Sequence, residues 1–497
     1  MKTINPESRT PLFLQMKEIL KERFLSDGTY SGRLPSAFEI AAEYNVNQMV
    51  VQRATRQLCD EGYLNRRPKI GTFVSQKKTK TIRIGYYELP AYSTKKILSL
   101  FAKSCPDIIV EQVNLDSHRY VDKLSDMLHN DEVDVVKVSE SVFRGLDAPA
   151  LFHSLNGYAR EAKDRGTYLK PWNAFKYLKT CYAVPMAFSP VVMVYNKDLF
   201  DKSGVGYPDP EWNWNDFLAK AKKLTVLNGD GRKDNEQYGF LFSSHFNRWP
   251  VFVFQNNGRL LDEGEKTLAL SNAASREAIQ FMMDLIYKWK VAPVLVDLGE
   301  LSDTPFLRSK IAMAMTSYYH FGMLNETAGF SWDIAPLPQN RRKATLLLAD
   351  GFAVSRKARN YEACVRFLTF TQSDVVQKYI KRCGSVVPVN RHIAERRHAG
   401  APANYGIFNQ ILKHADFLKL PHVDDPRMHI VKGETELMWH GLQGYEEMCR
   451  HVEVRLEGLR ARKTKTHAAL RSDHAHPDTS FSGLPGEGRL SPSPPCS

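Results

Sequence analysis

No run of about eighteen apolar residues occurs anywhere in the chain of 497, so no membrane-spanning helix is expected. The opening MKTINPESRT has no apolar centre, and no secretory signal is expected there. Cysteine is scarce. Cys59, Cys105, Cys181, Cys364, Cys383, Cys449 and Cys496 are odd in number, scattered, and never in a C-x-x-C pair. That spacing excludes a disulfide scaffold or a zinc ribbon and fits reduced thiols in a cytoplasmic protein. Neither a G-x-S-x-G elbow nor an H-E-x-x-H helix is present. Gly204-Val205-Gly206 lacks a third glycine and runs into Tyr207-Pro208, so it makes no phosphate cradle. In the loop 228–236, Asn228 and Asp230 stand two apart like calcium ligands. Arg232 occupies the third position and no glutamate closes the loop, which favours a turn. His392 and His398, flanked by Arg396 and Arg397, read as surface residues. No metal, no cofactor and no catalytic constellation is expected.

What the chain does have is positive charge, at a net +13, and residues 1–80 hold 14 Lys and Arg against 8 Asp and Glu. Such a concentration suits a module that meets phosphates. Within it, residues 34–74 carry the pattern of a winged helix. Ser36 and Glu39 form a capping-box pair, and Ile40, Ala41 and Val46 fit one helical face. Asn45 suits a left-handed turn. Asn47 caps a second helix whose inner face is Val51, Ala54 and Leu58, with Gly62 as its stop. Gln48, Met49, Gln52, Arg53 and Arg56 are left on the outer face. Two short strands follow around Pro68-Lys69. A further amphipathic helix near 12–25, with Leu12, Met16, Ile19, Leu20 and Phe24 on one side, closes the core. Such a unit sets one rigid helix into a DNA major groove.

The pieces Pro11-Leu12-Phe13-Leu14-Gln15, Leu34-Pro35-Ser36, Glu61-Gly62-Tyr63-Leu64 and Gly71-Thr72-Phe73-Val74 lie in order over residues 10–75. They resemble the winged-helix domain of GntR-type bacterial transcription regulators. The resemblance implies DNA contacts from Ser36, Asn47, Gln48, Met49, Gln52, Arg53, Arg56, Arg66, Arg67, Lys69 and Gly71. This chain departs from the family at Phe38, Gln48 and Gln52, where arginines are usual. Gln48 or Gln52 suits adenine, whose edge pairs with an amide. Relatives bind two-fold related half-sites, so a homodimer on a double-stranded operator is expected.

After a basic linker at 76–81 (SQKKTKT spans 75–81) the character changes. Strand-like pieces near 82–87, 108–113 and 133–138 alternate with helical ones near 94–103 and 119–128, which predicts a parallel sheet with helices on both faces. Ligands of such sheets sit at the carboxyl ends of strands, here near Glu88, residues 114–116 and Ser139-Glu140. Further on, Pro185-Met186-Ala187, Val194-Tyr195-Asn196-Lys197-Asp198-Leu199-Phe200, Gln237-Tyr238-Gly239-Phe240, Asn256-Asn257-Gly258, Lys310-Ile311-Ala312-Met313, Ala335-Pro336-Leu337-Pro338 and Asp350-Gly351-Phe352-Ala353 follow in order. Together they resemble the extracellular solute-binding proteins of sugar-uptake ABC transporters. The resemblance implies two α/β lobes of the type II periplasmic-binding-protein kind over 82–457, with crossings near 187–190 and 347–350 and a ligand in the cleft.

Carbohydrates ask for flat aromatic faces and planar polar groups. The candidate aromatics are Phe246, Trp249, Tyr318 and Tyr319; the candidate polar groups are Ser139, Glu140, Asn247 and Asp350. Trp212 and Trp214 read instead as packing at a helix start. Residues 435–456 read as one helical stretch. From Gly458 the periodicity ends and Pro, Ser, Gly, His and Arg dominate, so 458–497 is expected to be a disordered tail. The expected fold is α/β: a winged helix-turn-helix over 1–75 followed by the two-lobed domain. The expected function is a cytoplasmic, dimeric, sugar-responsive repressor that touches no membrane. The alternative is a transporter's sugar receptor. A sugar-active enzyme is a third reading, disfavoured for want of an acid/base pair.

Overall fold

The computed structural model describes residues 4–472, apart from 6–7, 9, 25–31, 62, 69, 75–79, 89–90, 116–119, 229–235, 261–269, 294–303, 397–400 and 420–424. Near the start of the chain, α1 (Leu12–Phe24) turns Met16, Ile19, Leu20 and Phe24 inward. α2 (Ala37–Glu43) begins at a complete capping box. The Ser36 hydroxyl accepts from the Glu39 amide at 3.2 Å, and the Glu39 carboxylate accepts from the Ser36 amide at 2.6 Å. The Ser36 backbone N–H, aided by its hydroxyl, holds the Glu39 carboxyl below its usual range. Asn45 turns the chain at φ 48°.

α3 (Gln48–Asp60) is capped by Asn47, whose side chain accepts from the Met49 amide at 2.8 Å. It buries Val51, Ala54 and Leu58, the stripe expected from their spacing. The helix ends on Glu61; Gly62, the expected stop, lies outside the described residues. β1 (Leu64–Arg67) and β2 (Gly71–Val74) form the antiparallel wing, with Leu64 opposite Val74 and Arg67 opposite Gly71. The three helices and the wing share one apolar core around Met16, Leu20, Val51, Ala54 and Leu58.

The whole chain divides into two compact units, one of residues 1–139, 146–188 and 349–396, the other of 140–145, 189–348 and 397–497. Two of the breaks, at 188/189 and 348/349, fall inside the strands Ala183–Asn196 and Thr345–Val354. Those are the stretches where crossings were expected.

In the first unit, β3 (Lys80–Tyr86) lies between β4 (Ile108–Asn114) and β5 (Val135–Ser139), parallel to both. α4 (Thr94–Ser104) and α5 (Tyr120–His129) supply the connections. β3 starts at Lys80, inside the segment expected as linker, and Lys80 is ion-paired with Glu362. Residues 350–354 then add to β5 in the antiparallel sense, with Asp350 opposite Ser139. In the second unit, residues 191–196 pair antiparallel with Ile311–Ser317 and Trp332–Ala335, and Ile311–Ser317 runs parallel to Tyr238–Leu241. The three strands expected to be parallel are so, and the antiparallel additions come from later in the chain, so the sheets as wholes are mixed. Every residue of Ala183–Asn196 is buried, so its apolar run carries no sign of strand direction.

The C-terminal region also differs from expectation. Residues 435–456 belong to two helices, Pro426–Trp439 and Tyr445–Ser472, separated by Gly441 at φ 72°. The second continues past Gly458 to Ser472, because LRARKTKTHAAL is rich in good helix formers even without an apolar stripe. Only 473–497 of the expected tail lie outside the described residues.

Candidate functional site

The first candidate surface is the outer face of α3 with the wing. Gln48, Met49, Gln52, Arg53 and Arg56 are all exposed, and no acidic residue stands in the first turn of α3. The partly positive helix start is thus unopposed. The Arg53 guanidinium rests over the Phe13 ring at 4.1 Å, a contact that restrains an otherwise exposed side chain. On the wing, Arg66 and Arg67 are exposed and Arg67 leans on Phe73 at 4.9 Å. Gly71 has φ 140°, a backbone conformation that residues with a side chain rarely adopt, so the start of the second wing strand favours glycine. Ser36 and Asn47 are exposed, but their side chains already cap α2 and α3. Lys69 lies outside the described residues.

The second set of candidates is split between the units. In the first unit, Asp350 is buried beside Ser139, and its carboxylate accepts from Tyr92 Oη at 3.2 Å and Tyr87 Oη at 3.4 Å. Lys137, two residues before Ser139, is wholly buried. Its ammonium donates to Thr94 Oγ1 at 2.9 Å and to the Tyr87 carbonyl at 3.3 Å, between the rings of Tyr87 and Tyr92 at 4.8 and 4.4 Å. Burial pulls the Lys137 ammonium down to about 8, against the upward pull of Asp350 and Glu88. Burial, then the nearby Asp350 charge, pushes the Tyr92 phenol well up. Glu88 accepts from the Thr94 and Lys95 amides at 2.8 and 2.9 Å and so caps α4. Sequence reasoning missed Lys137, Tyr87 and Tyr92. The signal available was a lysine in the apolar strand VVKVS, which has no place there without partners.

In the second unit, Glu140 is buried at the start of the short helix Glu140–Arg144. Trp249 and Tyr318 are both 0% exposed. Trp249 packs between Phe246 and Trp439 at 5.5 and 5.7 Å between ring centroids, and its indole N–H is buried without a partner. Tyr318 donates its hydroxyl to the Tyr405 carbonyl at 2.6 Å and its amide to Ser189 Oγ at 2.8 Å. Neither presents a ring face to solvent, and both pack among other aromatic side chains. Phe246, Asn247 and Tyr319 are half-buried and keep accessible surface. Among the described residues, no group of three His, Cys, Asp or Glu side chains is placed to hold a metal.

Residues 86–378, more than half of the chain, match the family described as bacterial extracellular solute-binding protein. The chain belongs to that family. Residues 14–74 match the gntR family of bacterial regulatory proteins, so the solute-binding fold is joined to a GntR-type winged helix. A putative binding protein of Brucella abortus (strain 2308) is 26% identical over 244 residues, 48% of this chain and 57% of its own length. YurK of Bacillus subtilis (strain 168), an uncharacterized HTH-type transcriptional regulator, is 32% identical over 157 residues, 29% of this chain and 64% of its own. The chain thus spans less than two thirds of these relatives. An ABC substrate-binding protein from Listeria monocytogenes, solved in complex with cycloalternan, is 26% identical with a TM-score of 0.66 and covers 77% of this chain and 99% of its own. Maltose-bound MalE3 of T. maritima shares the fold at 18% identity and a TM-score of 0.62, over 76% of this chain and 99% of its own. No helix among the described residues is long and apolar enough to cross a membrane.

Proposed function

We propose that this chain is a cytoplasmic transcriptional repressor that releases its operator when a sugar or oligosaccharide occupies its solute-binding region. The observation that carries the reading is the exposed, basic face of α3, whose first turn has no acid, and of the wing, on the same chain as a solute-binding fold. A transporter receptor would have no use for that face. YurK and a histidine utilization repressor of Klebsiella aerogenes, 27% identical over 108 residues, support the regulator half. The cycloalternan-bound neighbour supports a carbohydrate as effector.

In the second unit, the half-buried Phe246 and Tyr319 offer aromatic faces and Asn247 a planar polar group; in the first unit, Ser139 offers a hydroxyl. Asp350 acts through the two tyrosine hydroxyls it holds. The active form is a homodimer, since one winged helix spans too few base pairs for useful selectivity and paired half-sites follow two-fold symmetry. A footprint over an inverted repeat, with a dimer in solution, is the expected result; a monomer protecting a single half-site would contradict it. The effector is found by a thermal-shift screen of a carbohydrate panel, because a ligand bound only to the folded state raises the melting temperature.

A further inference from the structure

The winged helix exposes three large hydrophobic side chains among its described residues: Phe38 at 71%, Met49 at 70% and Ile70 at 54%. The apolar core beneath them closes without any of the three. Met49 is the second residue of α3, two after Asn47, whose side chain accepts from the Met49 amide. Exposed Gln48, Gln52 and Arg53 flank it on the same helix. Phe38 is likewise the second residue of its helix, α2, inside the Ser36–Glu39 capping box, so its backbone is held as firmly. Two apolar side chains are thus displayed from rigid, capped helix starts; the exposed neighbours of Met49 on α3 are amides and a guanidinium, while Phe38 stands beside the capping pair Ser36 and Glu39.

The edges of the bases in a major groove are almost wholly donors and acceptors; the C5 methyl of thymine is the apolar exception. An apolar side chain on a helix that enters the groove with its N-terminal residues therefore has one favourable base partner. Charge complementarity names duplex DNA as the occupant, since Arg53, Arg56, Arg66 and Arg67 are exposed around these positions and the first turn of α3 has no acid. We propose that Met49, with Phe38 as the second contact, reads thymine methyl groups and selects thymine at defined operator positions. The inference rests on the DNA-binding reading above and adds the chemistry of base choice.

The test starts by selecting duplexes from a random library with the full chain, then replacing each thymine of the selected duplex by deoxyuridine, which deletes only the methyl. Wild type should lose about fourfold in affinity at each contacted position, the worth of one buried methyl. Met49→Ala and Phe38→Ala should each bind the thymine duplex more weakly and become indifferent to deoxyuridine at one position. Both residues are exposed, so both variants should keep the wild-type melting temperature. If wild type binds the selected duplex and every deoxyuridine substitution is neutral, the methyl readout is overturned. A fall in dimer content in both variants would then assign the apolar pair to a second copy of the chain. If selection enriches no sequence at all, the DNA-binding reading fails, and this inference with it.

Discussion

Arg66 and Gln52 are both exposed on the winged helix, yet they should fail differently when removed. Arg66→Ala or Arg67→Ala deletes a charge that any phosphate accepts. Binding should weaken for all sequences alike, and the slope of log affinity against log salt should drop by about one. Gln52→Ala deletes an amide suited to adenine, so it should relax base preference at one position at about 1–3 kcal/mol, read by comparing operator with single-base variants. Lys137 makes a pH prediction. Its ammonium is pulled down to about 8 in the fold from an ordinary 10.5, so the unfolded chain holds more protons between those values and stability should rise with pH across that window. Tyr92 and Tyr120 work the other way. Their phenols are pushed up by burial, and the stability they contribute is lost above about pH 10. Melting temperatures from pH 7 to 11 should climb and then fall, and Lys137→Met should flatten the climb. At this scale the sequence was least legible. Trp249 and Tyr318 have the flat faces a sugar wants, but a protein core wants the same faces, and residue type alone does not separate the two.

The winged-helix elements were legible because their determinants are local. Caps, a three-and-four spacing and a left-handed Asn45 all lie within a few residues of what they control. Ser36→Ala removes the hydroxyl half of the capping box and should lower stability by about 0.5–2 kcal/mol. Leu58→Ala, at the centre of the inner face, should cost about 2–5 kcal/mol and abolish DNA binding, read by melting and by operator titration. The antiparallel entry of residues 350–354 beside β5 was not legible, since the partners lie more than two hundred residues apart and both strands are apolar. The break at Gly441 was hidden for another reason. Helical periodicity resumes beyond it, with Met448, Val452 and Leu456 buried at fourfold spacing, so the two helices read as one.

For the whole molecule, the claim is a coupling between sugar and operator. A sugar can alter DNA affinity only if it binds one conformation of the chain better than another, and the effect is reciprocal: operator DNA must weaken sugar binding by the same factor. A coupling of about 1–3 kcal/mol corresponds to roughly a five- to 150-fold change in operator affinity. The covalent route for it is short, because β3 begins at Lys80, only six residues after the wing strand ends at Val74. The most direct measurement is a titration of the selected operator with the full chain, with and without the sugar found in the thermal-shift screen, at one fixed salt concentration. The account predicts weaker operator binding with sugar, by a factor in that range. Superimposable curves would contradict it, and tighter binding with sugar would make the chain an activated binder rather than a repressor released by its ligand.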